Sequence, residues 1–347
     1  MIGRRRELIF GAIAAALAVA YVAVAAQVGP VVAPASAPTP TPTRPAEPVS
    51  APRVPGAIAF VLRGDVYVLR DGKYSPLTSE GRNSQPHLSP DGTTLSFSRQ
   101  ETIDGKRVAD GQVVNARLAF SSVIRKSAGG GSEEVVLNGL RARRADGFHQ
   151  VSWFLGPALS PDGKRLAIVE DDGDGAADLV ILDLAARRST PLSRGAELAD
   201  PSWSPDGKTV AVTTYNTLTP GILLWPVDRP GQAQRLAALP DGDAYRPSYS
   251  PDARWILYTL RQDGRNDLHA YELATKRDVQ LTVDGRSWNG VFSPDGQWVA
   301  FLRERNGTID LYAMDLGTAL EGGAPREALK LTHGEGIDGA SRPSWGP

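Results

Sequence analysis

The chain has 347 residues, enough for one large domain or two ordinary ones. Its 38 Lys and Arg against 39 Asp and Glu leave a net charge of −1, so no general field attracts nucleic acid. It has no cysteine, which excludes disulfides, thiolate metal sites, a cysteine nucleophile and a lipidated-cysteine anchor.

Arg4, Arg5 and Arg6 precede an uncharged run from Leu8 to Ala26. Such a run would be about 28 Å long as a helix, close to a hydrocarbon core of about 30 Å. The next charge after it is Arg44. The positive-inside rule then keeps the N-terminus cytoplasmic and exports the chain beyond Ala26. A cleaved signal peptide is the rival reading, because Ala23-Val24-Ala25 offers a small-x-small site and nine of the run's nineteen residues are alanine. The expectation is one transmembrane segment within residues 1–26, with the remainder anchored in the periplasm or at the cell exterior, or else secreted. Residues 27–55 carry nine prolines. Proline removes a donor and fixes φ, so this stretch reads as a semi-rigid linker reaching up to roughly 90 Å at about 3.1 Å per residue.

From residue 56 onward the chain repeats. Ser-Pro-Asp-Gly, or a near copy, starts at Ser89, Ser160, Ser204, Ser250 and Ser293, with Ala253 replacing glycine in the fourth copy. Proline suits the first corner of a turn, aspartate bonds the backbone two residues on, and glycine accepts positive φ. An apolar strand-like run comes after each turn, and the same run occurs once more, so there are six: Ala57 to Leu62, Thr94 to Arg99, Arg165 to Glu170, Thr209 to Thr214, Trp255 to Leu260 and Trp298 to Arg303. A period in the low forties with short strands is the signature of propeller blades. The first run lacks a leading strand, and residues 341–346 are a leading strand without a blade. The expected fold is all-β, a six-bladed β-propeller over 56–347 closed by its C-terminal strand, which removes sheet edges.

The repeats resemble the TolB-like propeller family, a relative of the WD-repeat propellers. The matching residues are Pro-Ser-Trp-Ser-Pro-Asp-Gly-Lys at 201–208, Pro-Ser-Tyr-Ser-Pro-Asp at 247–252, Phe-Ser-Pro-Asp-Gly at 292–296, Asp-Leu-Tyr-Ala-Met-Asp at 310–315 and the Leu-Thr pairs at 77, 281 and 331. The resemblance implies the propeller fold. Its function is left open, since such propellers occur as periplasmic scaffolds and as regulatory caps on peptidases. TolB itself carries an additional N-terminal α/β domain, for which residues 1–55 offer no counterpart.

In a propeller the innermost strands line a central channel. The positions entering those strands are Asn83 and Gln85, Phe154, Asp200, Tyr245 and Arg246, Trp288 and Asn289, and Arg342. Rigid aromatics beside a few hydrogen-bonding groups suit a protein or peptide partner of the cell envelope; water-filled channels also favour polar entries. Extra residues at about 101–115 and 138–156 read as loops, either a tolerated surface insertion or a lid over the mouth. Glu170, Asp172, Asp174 and Asp178 sit at spacings that could gather oxygen ligands on calcium, although Asp65, Asp267 and Asp310 recur at the position of Asp178 without an acidic run. No Gly-x-Ser-x-Gly elbow and no phosphate-binding glycine motif is present, and the four histidines are scattered. The expected function is a non-catalytic binding or scaffold module. The alternative is a hydrolase or lyase with a dispersed, calcium-assisted site in the channel.

Overall fold

The computed structural model describes residues 49–109, 112–143, 148–173, 176–216 and 219–347. They form six antiparallel sheets, each an up-and-down meander whose first strand is innermost, plus a small two-stranded sheet. The inner strands are Ser344–Gly346 for blade 1, then Asn83–Leu88, Trp153–Leu159, Leu198–Trp203, Asp243–Tyr249 and Ser287–Phe292 for blades 2 to 6. Ser344–Gly346 pairs with Ala57–Leu62, in register Ala57 to Gly346 and Ala59 to Ser344. The ring is thus closed by the C-terminal strand. Val49–Ser50 adds a fifth, outermost strand to blade 1 through Lys73–Pro76.

The repeated turn builds the corner between the first two strands in the same way five times. The serine hydroxyl donates to the turn aspartate at 2.5 or 2.6 Å. That carboxylate in turn accepts the backbone N–H two residues on, as from Lys208 at 3.0 Å. The same serine oxygen accepts the first N–H of the second strand, as from Thr209 at 3.0 Å. The fourth residue is left-handed in every copy: Gly92, Gly163, Gly207 and Gly296 have φ between 67° and 71°, and Ala253 has φ 59°. A Cβ in this region is disfavoured by roughly 1–2 kcal/mol. Ala253→Gly is therefore expected to stabilise the protein by about 1 kcal/mol, less glycine's greater unfolded entropy. A melting temperature equal to or below wild type in calorimetry would contradict this.

The apolar residues of the second and third strands pack between neighbouring sheets, giving one core cluster at each of the six blade junctions. Ile58, Phe60 and Trp345 of blade 1 meet Leu302 and Leu311 of blade 6 in the cluster that seals the ring. The Leu-Thr pairs and the recurring aspartate belong to one device. Thr282 Oγ1 donates to Asp267 at 2.9 Å and accepts the Leu268 N–H at 2.9 Å, while Asp267 also accepts the Gly285 N–H at 3.0 Å. Asp65 with Thr78, Asp178 with Ser193, and Asp310 with Thr332 repeat it.

Blade 2 departs from the loops expected for its extra residues. Thr94–Ala109 and Gln112–Ser127 form one long hairpin. It runs ten residues past Arg99, which pairs with Asn83 at the start of the inner strand, and so rises on the channel's entry side. Leu140–Arg143 pairs with His149–Val151 beside it. From Val113 to Leu118 exposed and partly buried residues alternate, as on a strand with one covered face, so pairing continues instead of ending at a turn. Among the described residues no helix is long and apolar enough to cross a membrane. The candidate span at 8–26 lies outside them, as does the linker up to residue 48.

Candidate functional site

Each inner strand of blades 2 to 6 opens with a β-bulge, two residues facing one on the second strand. Its first residue is left-handed in all five: Gln85 (φ 52°), Gly156 (59°), Asp200 (55°), Arg246 (59°) and Asn289 (60°). Arg342 holds the equivalent place before Ser344–Gly346. Bulges re-aim a side chain, and non-glycine residues held here store strain that the surroundings must stabilise. Those surroundings are hydroxyls and an amide from the preceding blade. The Arg246 N–H donates to Thr213 Oγ1 at 2.9 Å, Asn289 N–H to Thr259 Oγ1 at 3.2 Å, Gln85 N–H to Ser341 Oγ at 2.7 Å, and Gly156 N–H to Gln85 Oε1.

Below this ring lies a cavity of about 340 Å³, bounded at one end by Gln85, Gly156, Asp200 and Arg342. Its opposite rim is a collar of six prolines, Pro90, Pro161, Pro205, Pro251, Pro294 and Pro347, one from the end of each inner strand. Trp203, Tyr249, Phe292 and Trp345 supply aromatic wall. The inner strands' free N–H groups are partly satisfied across blades: Leu88 donates to Ser344 Oγ at 3.0 Å, Tyr249 to Ser202 Oγ at 3.2 Å and Leu159 to His87 Nδ1 at 3.4 Å. Burial, with the Arg342 charge second, pushes His87 down to about 4, so it is a neutral acceptor at physiological pH.

Arg342 crosses the channel. From blade 1 it donates to Pro201 O on blade 4, directly opposite, at 3.1 Å, and to Pro247 O on blade 5 at 2.5 Å. Arg342 is half-buried and lines the channel, and burial lowers its pKa. Asp200 is held by Thr213 Oγ1 at 3.0 Å and pairs with Arg246 at 3.9 Å. Above the ring, Gly339 O accepts from Trp288 Nε1 at 2.8 Å, Asn289 Nδ2 at 3.1 Å and Arg246 Nη1 at 3.5 Å.

Of the nine sequence-predicted partner residues, Gln85, Asp200 and Arg342 therefore line the cavity, while Arg246, Trp288 and Asn289 interlock at the mouth. Tyr245 bonds Asn266 Oδ1 beside them. Asn83 is buried and its amide donates to Thr78 at 2.9 Å and Asp65 at 3.2 Å. Phe154 is buried in the junction of blades 2 and 3. The blade 3 member of the ring is Gly156, two residues further on, and a fixed signal would have found it: each ring residue lies four before the serine, or Gly346, that opens the turn. His87 is another lining residue outside the sequence-predicted set.

The acidic stretch is divided among other duties. Glu170 pairs with Arg141, and Asp178 accepts from Ser193 Oγ at 2.7 Å and from the Gly195 and Ala196 N–H groups at 3.1 Å. Asp172 is exposed, and Asp174 lies outside the described residues. Among the described residues no group of three or more acidic or histidine side chains could hold a metal ion.

The family model described as the TolB beta propeller domain matches residues 127–347. The chain belongs to that family. Among solved structures, TolB from Acinetobacter baumannii is similar at 19% identity and TM-score 0.62, covering 84% of this chain and 67% of that one. The putative TolB from Agrobacterium tumefaciens is similar at 20% identity and TM-score 0.60, covering 84% and 92%. A puromycin-hydrolyzing peptidase of Mycobacterium tuberculosis is similar at 16% identity and TM-score 0.52, over 84% of this chain and 45% of the peptidase. At these identities the likeness is one of fold. No curated protein sequence matches the chain.

Proposed function

We propose that this TolB-family propeller is a non-catalytic, extracytoplasmic binding module that takes a peptide segment of a cell-envelope protein into its channel. The observation that carries this is the cavity of about 340 Å³, aromatic and proline-walled, with Gln85, Asp200 and Arg342 converging at one end. Apolar walls with a few placed polar groups are the general form of a ligand site. A binding role is further supported by the lining chemistry: its one side-chain carboxylate, Asp200, is engaged by Thr213 and Arg246, and its one imidazole, His87, accepts a backbone N–H. The run at 8–26 would hold the propeller at the membrane.

Peptides selected from a displayed random library on the full-length protein should bind Gln85→Ala and Asp200→Ala about tenfold more weakly, the effect of roughly 1.4 kcal/mol. Wild-type affinity in both variants, with melting temperatures unchanged, would sink the channel as the site.

A further inference from the structure

We propose that Arg342 receives a carboxylate, and that this carboxylate is the free C-terminus of a peptide entering from the face of the Ser-Pro-Asp-Gly turns. The inference rests on the peptide-binding reading and specifies which end of the peptide is read and from which side.

Arg342 has no carboxylate in ion-pair contact, and Asp200 favours its charged form only from a distance. Among the described residues no carboxylate lies within 4.0 Å of its nitrogens, since Asp200 is paired with Arg246 instead. Its hydrogen bonds to Pro201 O and Pro247 O use two of a guanidinium's five N–H donors. A charge drawn even partly out of water is favoured by pairing, and a planar fork suits a carboxylate. Burial outweighs the distant Asp200 charge and disfavours the charged form, so an arriving anion would relieve that penalty.

The direction is set by the shape. The guanidinium bridges opposite blades at the ring, whereas the collar of prolines leaves the other rim open, with Pro90, Pro251, Pro294 and Pro347 exposed. A chain running straight through would have to displace both carbonyl bonds of Arg342; a chain end would not. An amino terminus would set an ammonium against a guanidinium, so the end must be the carboxyl one. The turn aspartates near the rim are each bonded within their own turns and do not line the cavity. Their charge is screened within about 8 Å at physiological salt.

The test uses the full-length protein, tryptophan fluorescence, and two probes: a pool of N-acetylated tetrapeptides with free carboxyl ends and the same pool amidated. The free-acid pool is expected to bind at least tenfold more tightly. Arg342→Met should erase that preference, Arg342→Lys should keep part of it through charge without the fork, and Arg326→Met, on the outer surface, should leave it intact. Equal binding of the two pools in wild type would overturn the proposal while leaving the peptide reading standing, and needs no variant to fold. A preference that survives in Arg342→Met would overturn the placement. N-acetylglycine binding as tightly as the free-acid pool would overturn the peptide assignment in favour of a small acid. Failure of both pools to bind would remove this proposal and the peptide reading together.

Discussion

A chain ending at Ala340 is expected to lose its cooperative melting transition, and Trp345→Ala alone to lower stability by about 3–5 kcal/mol, as for other buried large-to-small changes. The strand Ser344–Gly346 is the innermost of blade 1, and without it the buried, apolar Ala57–Leu62 strand becomes an open edge. Trp345 is 9% exposed and packs with Ile58, Phe60 and Val291, and its indole N–H donates to Pro55 O at 2.7 Å. The terminal segment also satisfies its neighbour: Ser341 and Ser344 accept the Gln85 and Leu88 N–H groups at 2.7 and 3.0 Å. In a ring whose apolar cores all lie between neighbouring blades, one missing junction opens the whole circle. Urea unfolding monitored by circular dichroism measures both variants. A truncated chain melting within a few degrees of wild type would mean that the circle does not depend on this strand.

The blades were legible because their signals are local. Serine, proline, aspartate and glycine each satisfy one requirement of the corner, so five copies can be counted without knowing what they touch. The second strands were equally plain, because a run such as Thr209-Val210-Ala211-Val212-Thr213 is β-branched and apolar whichever blade it joins. The ring at the head of the channel was only partly legible. Asp200 and Arg246 stand beside prolines at the expected distance from their turns. Blade 3 instead pointed to Phe154, an aromatic whose burial between blades depends on Val123 and Ile168 elsewhere in the chain. Gly156, which carries the ring position there, offers no side chain to notice. Nor could sequence reveal that Arg342 reaches across to Pro201 and Pro247, 141 and 95 residues away. That contact needs the channel's width, which depends on the number of blades and not on any single repeat. The long hairpin of blade 2 was hidden for a related reason: extra residues between repeats resemble a loop until their partner strand is known.

The second large effect is expected from acid. The His87 imidazole has an ordinary pKa near 6.5 in the unfolded chain and about 4 in the fold, lowered first by burial and then by the Arg342 charge. Between those two values the unfolded chain holds a proton that the folded protein does not. Stability is therefore fully present above about pH 6.5, falls as the pH drops toward 4, and levels off below it, with a total loss of at most about 3 kcal/mol. The structural event is specific: protonated Nδ1 can no longer accept the Leu159 N–H, and a second cation would stand near Arg342. The turn aspartates cannot produce this window. Asp91, Asp162 and Asp206 are held below their ordinary value of 3.8 by their serines and backbone N–H groups, so any loss they cause begins under about pH 4. In His87→Ser the hydroxyl would take the place that Ser202 and Ser344 hold in other blades, where they accept the N–H of the next blade. That variant should unfold with nearly the same free energy at pH 7 and pH 4.5, while wild type loses most of the difference over that interval. Parallel urea titrations at the two pH values compare them directly, and equal pH dependence in the two proteins would mean that His87 is already charged, or already solvated, in the folded channel.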